Sequence, residues 1–213
     1  EHMEAVLNGE VGKELEGLME KSGMKVLGYF VRGPRYVTSN REIKSVADMK
    51  NMVIRTPQSA MTVAAFEAVG AKPTPMALAE VFTSLQQGTI EGQENPLAMI
   101  QNSSFYEVQD YVIRTEHLRA WVYIAMGLEQ FNALPADLQQ VVLDGGKEMQ
   151  KYEHEIFLKN EEELESKLVE EGMEFVDVDQ KAFSDAMTNG VLAVLTDSQK
   201  ALYEKISAAN PDA

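Results

Sequence analysis

The sequence predicts an α/β fold. Short apolar runs alternate with stretches of helical periodicity along most of the 213 residues. The connections between them are brief, and no Gly/Ser-rich or Pro-rich linker and no internal repeat divides the chain. At 45% hydrophobic and 25% charged, the composition is that of an ordinary globular protein.

The N-terminal segment places Val6, Leu7, Val11, Leu15, Leu18 and Met19 at helical spacing, with Gly23 as its stop. "MKVLGYFV", residues 24–31, reads as a buried strand; "GPR" turns the chain into a second short strand, "YVTSN". Ser45 and Asp48 have capping-box spacing, which predicts a helical turn to about Lys50. Residues 52–56 form a strand ending in Arg55, and Ser59 caps a helix to Val69 with Gly70 at its C′ position. "KPTPM" reads as an extended link with two prolines, followed by a helix from Leu78 to Gln87 that Gly88 stops. "TIEGQEN" is a short strand and loop; Asn95-Pro96 looks like an N-cap and first helical residue of a segment ending near Ser103. "DYVIRTEHL" and "AWVYIAMG" read as strands.

The longest element opens at Pro135, carries Leu138, Val141, Val142, Met149, Tyr152 and Ile156 on one side, and runs to about Glu171. That is about 55 Å of helix at 1.5 Å per residue. "MEFVDVD" is a further strand, and a last helical region covers 180–206.

Composition excludes several functions. There is no Cys, hence no disulfide and no thiolate chemistry. The formal net charge of −15 leaves no basic stripe for nucleic acid or for an anionic membrane surface. No run reaches the ~20 apolar residues of a membrane span. His154-Glu155 begins like a zinc-binding H-E-x-x-H, but position 158 is Leu. "DVDQKAFSD" fails as a calcium loop because Lys181 and Ala182 stand where a ligand and a Gly are needed. No nucleophile elbow, Walker loop or dinucleotide fingerprint occurs. Neither a metal nor a cofactor is expected.

Arg55 stands out against this acidic background. A guanidinium at the tip of an apolar strand either pairs with a carboxylate of the chain or serves an external anion. The stripe Phe66, Val69 and Leu85 reads as core.

"GPRYVTSN", "VIRTPQSA", "EAVGAKPTPMALAEVFTSLQQGTIEGQENPLAMI" and "FYEVQDYVIRTEH" together resemble the solute-binding proteins of TRAP (tripartite ATP-independent periplasmic) transporters, the DctP-like family. The likeness covers nearly the whole chain and rests on a long ordered block: strand-end Arg-x-Pro, P-T-P-M, E-V-F, Q-x-G and E-G-x-E-N-P. It implies a two-lobed periplasmic solute-binding fold with a long helix spanning both lobes, no catalysis, and delivery of a small organic acid to a membrane permease. The implied division is 1–32 in lobe I, 33–120 in lobe II, 121–160 as a lobe I strand and long helix, and 161–213 in lobe II. The chain matches the family from after roughly its first third, so lobe I is expected to be incomplete. Apolar faces of the N-terminal helix and of the strand at 121–126 are then expected to be exposed.

Carried over position by position, Arg55 resembles the family's carboxylate clamp and Arg35 a second basic residue at the ligand. Asn95 matches a ligand-bonding Asn. Gln58 stands where relatives often have Asn, and Leu78 where an aromatic often walls the pocket. The expected ligand is a sugar acid or a C4-dicarboxylate. The rival is an enzyme acting on a small organic acid with the same Arg clamp, for which Glu94 and His117 are the candidate bases.

Overall fold

A computed structural model describes residues 2–210, the side chain of Leu158 excepted. In chain order the elements are α1 (His2–Asn8), α2 (Glu10–Lys21), β1 (Met24–Arg32), β2 (Tyr36–Ser39), β3 (Val53–Thr56), α3 (Ala60–Ala68), β4 (Lys72–Pro75), α4 (Leu78–Gln86), β5 (Gly92–Asn95), α5 (Leu97–Asn102), β6 (Tyr111–Ile113), β7 (Ala120–Gly127), α6 (Leu128–Asn132), α7 (Ala136–Glu170), β8 (Glu174–Val176), α8 (Gln180–Val194) and α9 (Asp197–Ala208). The fold is mixed α/β, as the alternation predicts. Among the described residues no helix is long and apolar enough to cross a membrane.

The chain forms two compact units. One comprises the described residues to Val31, Trp121–Ile156 and those from Thr196 on; the other comprises Arg32–Ala120 and Phe157–Leu195. α7 therefore contributes its first part to one unit and its second part to the other. The residues of α9 group with the first unit, where the sequence division had 161–213 together. The local reason is that His2 Nε2 meets the Ile206 carbonyl at 2.7 Å and Lys205 pairs with Glu14 at 2.6 Å.

The second unit is built on a six-stranded sheet of order β4-β3-β5-β2-β6-β8. β3 runs parallel to β4 and β5, β6 parallel to β8, and β2 antiparallel to both β5 and β6. Five strands thus point one way and β2 points back. Successive residues of a strand face opposite sides of a sheet, and the two cores follow that alternation. Val37 of β2 and Ile113 of β6 join Ile54, Phe66, Val69, Phe183 and Met187 on the face covered by α3 and α8. Their neighbours Tyr36 and Val112 join Val81, Leu85, Leu97, Phe105 and Leu168 on the face covered by α4, α5 and the end of α7. Phe66, Val69 and Leu85 are core, as their spacing predicts.

Several local expectations are corrected. "KPTPM" is not a link: Lys72–Pro75 is strand β4, at the edge of the sheet. Lys72 N donates to the Met52 carbonyl and Met76 N to the Thr56 carbonyl, so Pro73 and Pro75 fall on the alternate positions whose nitrogens need no ladder partner. The N-terminal helix is broken at Gly9, whose backbone is extended. The last helical region is likewise two helices. Thr196 opens the second with a capping box, its N–H donating to the Gln199 side chain at 2.9 Å. β6 stops at Ile113, because Glu116 adopts a left-handed φ of 42° that no strand continues. The caps at Ser45 and Ser59 and the left-handed Gly70, φ 79°, stand where the sequence puts them.

In the first unit, β1 pairs with β7 in a two-stranded sheet. Tyr29 N donates to the Gln150 side chain at 3.0 Å and Val31 N to Glu153 at 3.1 Å, fastening β1 to α7. The apolar side of α7 departs from a core-facing helix: Leu138, Val141, Met149, Tyr152 and Ile156 are all exposed, as are Leu18 and Val122.

Gly92 permits the close packing of β5 between β3 and β2. A Cβ there would lie 2.2 Å from the Thr38 carbonyl oxygen and 2.4 Å from Met52 Cε. The Thr38 backbone cannot yield without opening the β2–β5 ladder. Gly92→Ala is expected to cost about 1–3 kcal/mol of unfolding free energy in a denaturant titration.

Candidate functional site

The strand directions bring chemistry to one edge of the six-stranded sheet. β3 and β5 end in Arg55-Thr56 and Glu94-Asn95. β4, parallel to β3, delivers the Met76 carbonyl beside them. Because β2 runs backwards, with Tyr36 opposite Asn95, the residue before it, Arg35, arrives at the same edge. β6 is antiparallel to β2 and ends there as well, followed by Thr115 and His117. Ligands of open α/β sheets bind outside the carboxyl ends of strands, and this edge is that place in the second unit.

Arg35 is held by Glu94. Its Nε donates to Oε2 at 2.5 Å and its Nη2 to Oε1 at 2.9 Å, a side-on two-pronged pair. Nη2 also meets the Glu94 backbone oxygen at 2.8 Å and Asn95 Oδ1 at 2.9 Å. The Glu94 side chain has no exposed surface, and that of Arg35 is 21% exposed. His117 closes the carboxylate from its other side, Nε2 to Oε2 at 3.1 Å. A carboxylate only accepts, so Nε2 carries the hydrogen. The Thr115 hydroxyl lies 2.8 Å from Nδ1 and can donate to it, which satisfies a neutral imidazole at both nitrogens. The ring also packs edge-on against Phe66, with centroids 5.2 Å apart.

From Asn95 a chain of buried side chains runs back through the sheet. Asn95 Nδ2 donates to Gln93 Oε1 at 2.5 Å, Gln93 Nε2 to Thr38 Oγ1 at 3.0 Å, and Thr38 Oγ1 to Gln109 Oε1 at 2.9 Å. Gln109 Nε2 ends on the Val108 carbonyl at 3.1 Å. Every bond points the same way, the arrangement in which hydrogen bonds polarise one another.

Arg55 is only 5% exposed. Its Nε and Nη2 donate to the Met76 carbonyl at 3.1 and 2.8 Å. Among the described residues it has no carboxylate at salt-bridge distance, and its Nη1 has no partner. The end-on fork, one N–H of Nη1 beside one of Nη2, is therefore unspent. Burial pulls this guanidinium below its ordinary pKa, the attraction of Glu94 opposes that, and the repulsion of Arg35 adds to it. It stays protonated all the same, since its ordinary value lies far above neutral pH. Burial pushes the Glu94 carboxyl up, but the hydrogen bonds from His117 and Arg35, with the charge of Arg35, outweigh that and hold it below the ordinary range.

Of the sequence candidates, the structure brings Arg35, Arg55 and Asn95 to this edge. Asn95 is not the expected N-cap: it is the last residue of β5, Pro96 takes the cap position, and the Asn95 side chain is spent on Arg35 and Gln93. Gln58 lies just past the end of β3, exposed, and makes no hydrogen bond among the described residues. Leu78 opens α4, two residues after Met76, and is 37% exposed. Sequence reasoning missed Gln93, Thr38, Gln109, Thr115 and the Met76 carbonyl. The one available signal was "GQEN": a short run of polar residues fits a buried strand only if its side chains bond one another.

Comparison with known proteins identifies the family. The family model of bacterial extracellular solute-binding proteins, family 7 (DctP), matches residues 1–196. The chain belongs to that family. A solute-binding protein of Roseobacter denitrificans is 41% identical over 207 residues, which is 97% of this chain and 64% of that protein. The 2,3-diketo-L-gulonate-binding periplasmic protein of Escherichia coli is 36% identical over 89% of this chain and 58% of its own length. The chain thus spans about three-fifths of the length of these family members. Among solved structures, a TRAP periplasmic solute-binding protein of R. denitrificans with bound L-galactonate superposes with a TM-score of 0.83 at 40% identity, covering 94% of this chain and 67% of that one. One of Sulfitobacter with bound β-D-galacturonate gives 0.82 at 28% identity, covering 99% and 66%.

The depressed Glu94 value fixes a pH dependence. A group whose folded pKa lies below its ordinary 4.5 contributes stability that is complete above that value and is lost as pH falls through the folded one. Glu94→Gln is therefore expected to be less stable than wild type at neutral pH by about 1–3 kcal/mol, the cost of breaking a charged buried hydrogen-bond pair. The difference should shrink as unfolding is measured at progressively lower pH below about 4.5, and a constant difference down to pH 3 would contradict the assignment.

Proposed function

We propose that this chain is the ligand-gripping part of an extracytoplasmic solute-binding protein of a TRAP transporter. In this role it works in the periplasm, captures a small organic acid of the sugar-acid class and delivers it to a membrane permease. The observation that carries the proposal is Arg55: a buried guanidinium in an acidic chain, with no carboxylate at salt-bridge distance among the described residues and its two-pronged edge unspent. Leaving such a charge unpaired is costly, and an incoming carboxylate is the partner that a planar fork suits. The ligands bound by the related structures, L-galactonate and β-D-galacturonate, are carboxylates bearing several hydroxyls. Arg35, through Nη1, and Asn95, through the one N–H of Nδ2 not given to Gln93, supply fixed donors beside the clamp. Gln58 and Leu78, exposed near the same strand ends, are the polar and apolar contacts we assign to the ligand's periphery.

The enzyme alternative is the weaker one on physical grounds. Glu94 and His117, its candidate bases, already bond to each other, and Glu94 is further committed to Arg35. A general base or acid works best with a pKa near the operating pH, whereas Glu94 is displaced in the opposite direction.

Calorimetry on the complete natural protein tests the clamp. Arg55→Ala is expected to weaken binding of a sugar acid such as galactonate by about 2–5 kcal/mol, because the buried carboxylate loses its partner. Arg55→Lys, which keeps the charge but not the fork, should fall between Ala and wild type. Both should unfold near the wild-type midpoint. Unchanged affinity with a large loss of stability would return Arg55 to a structural role.

A further inference from the structure

We propose that Glu94 is a specificity-determining residue: by occupying the fork and the charge of Arg35, it sets the number of carboxylates that this site accepts at one. The inference rests on the reading of Arg55 as the carboxylate clamp.

Two arginines at one sheet edge would ordinarily suit a ligand with two carboxylates. Here they are not equivalent. Arg55 spends its Nε edge on a neutral carbonyl and keeps its end-on fork and its charge. Arg35 spends Nε and Nη2 on Glu94, and Nη2 is shared further with the Glu94 carbonyl and Asn95. What remains to Arg35 is Nη1 alone, two N–H groups on one nitrogen. That nitrogen can donate to a hydroxyl or to one oxygen, but no longer forms a fork for a carboxylate.

The charges agree with the geometry. Two guanidinium charges less the Glu94 carboxylate leave a single positive charge on these three side chains. The other arginines of the segment after β6 have partners of their own: Arg114 is held by Glu165 and Asp177, and Arg119 by Glu116. A monocarboxylate therefore neutralises the edge, whereas a dicarboxylate would bring one buried negative charge too many beside Glu94. Glu94 cannot swing away to accommodate it, since it is fully buried and fixed by His117, and His117 by Thr115 and Phe66.

A matched pair of probes isolates the effect: galactonate, with one carboxylate, and galactarate, the same carbon chain with a carboxylate at both ends. The proteins are the complete natural protein, Glu94→Gln, Arg35→Gln and the Arg35→Gln/Glu94→Gln double variant, measured by calorimetry. Wild type is expected to prefer the monocarboxylate. Glu94→Gln adds one positive charge and frees the Arg35 fork, and should shift the ratio of dissociation constants toward the dicarboxylate by tenfold or more. The double variant restores a single charge and should return the ratio to within about threefold of wild type, even where both affinities fall. Arg35→Gln alone removes the net charge and should weaken both probes. If Glu94→Gln lowers both affinities equally, Glu94 is only structural and the inference fails with the clamp reading intact. A wild type that takes galactarate as tightly as galactonate also overturns it. A wild type that takes neither these nor any other sugar acid of a panel overturns the clamp reading, and this inference with it.

Discussion

The ionised carboxylate of Glu94 sits inside a β-sheet with none of its surface in water, and the geometry of the whole edge answers to it. A buried charge persists only when paired and hydrogen-bonded. Glu94 meets that demand from three elements: Arg35 before β2, His117 after β6, and its own strand β5 between β2 and β3. The same arrangement aims Arg35, locks the His117 ring against Phe66, and ties Asn95 into a one-way relay through Gln93, Thr38 and Gln109. Polar side chains in β5, unsuited one by one to a sheet interior, become its most tightly specified residues because each is the other's partner.

The single reversed strand makes this convergence possible. In a fully parallel sheet the residue before β2 would lie at the opposite edge from Arg55 and Glu94. With β2 antiparallel to β5 and β6, a chain entry and five chain exits lie at one edge. Gly92 belongs to the same design: the absence of a side chain there lets β5 lie against the Thr38 carbonyl, so that Thr38 and Gln93 come within hydrogen-bonding distance.

Much of this was legible in the sequence, and the failures have identifiable causes. α3, with its side-chain cap at Ser59, and α7, with its long apolar stripe, could be placed from the sequence, and so could the core residues Phe66, Val69 and Leu85. Arg55 was conspicuous as a cation at the end of an apolar run. What could not be read locally was pairing. Pro73 and Pro75 argued against a strand, and only the position of β4 at the sheet edge makes them admissible. Asn95 before Pro96 looked like a helix cap because the sequence does not show that Arg35 and Gln93 would claim its amide. Glu94 and His117 were visible as candidate bases, but their contact with each other and with Arg35, nearly sixty positions upstream of Glu94, follows from no spacing rule. The apolar side of α7 was recognisable as a stripe, yet periodicity says which residues share a face and not whether that face is covered.

These contacts also explain why the site suits holding better than transformation. Catalysis by proton transfer needs a group that can change its charge near neutral pH, free on the side that meets substrate. The candidate groups at this edge are committed to one another instead. Glu94 is driven more acidic and fully occupied, His117 is satisfied at both nitrogens, and the arginines remain charged throughout. What is left adjustable is geometry and net charge: one unspent fork on Arg55, one unspent nitrogen on Arg35, and a single uncompensated positive charge between them. On the reading proposed above, a site with fixed donors discriminates by counting charges and matching edges, and proton transfer has no part in that work.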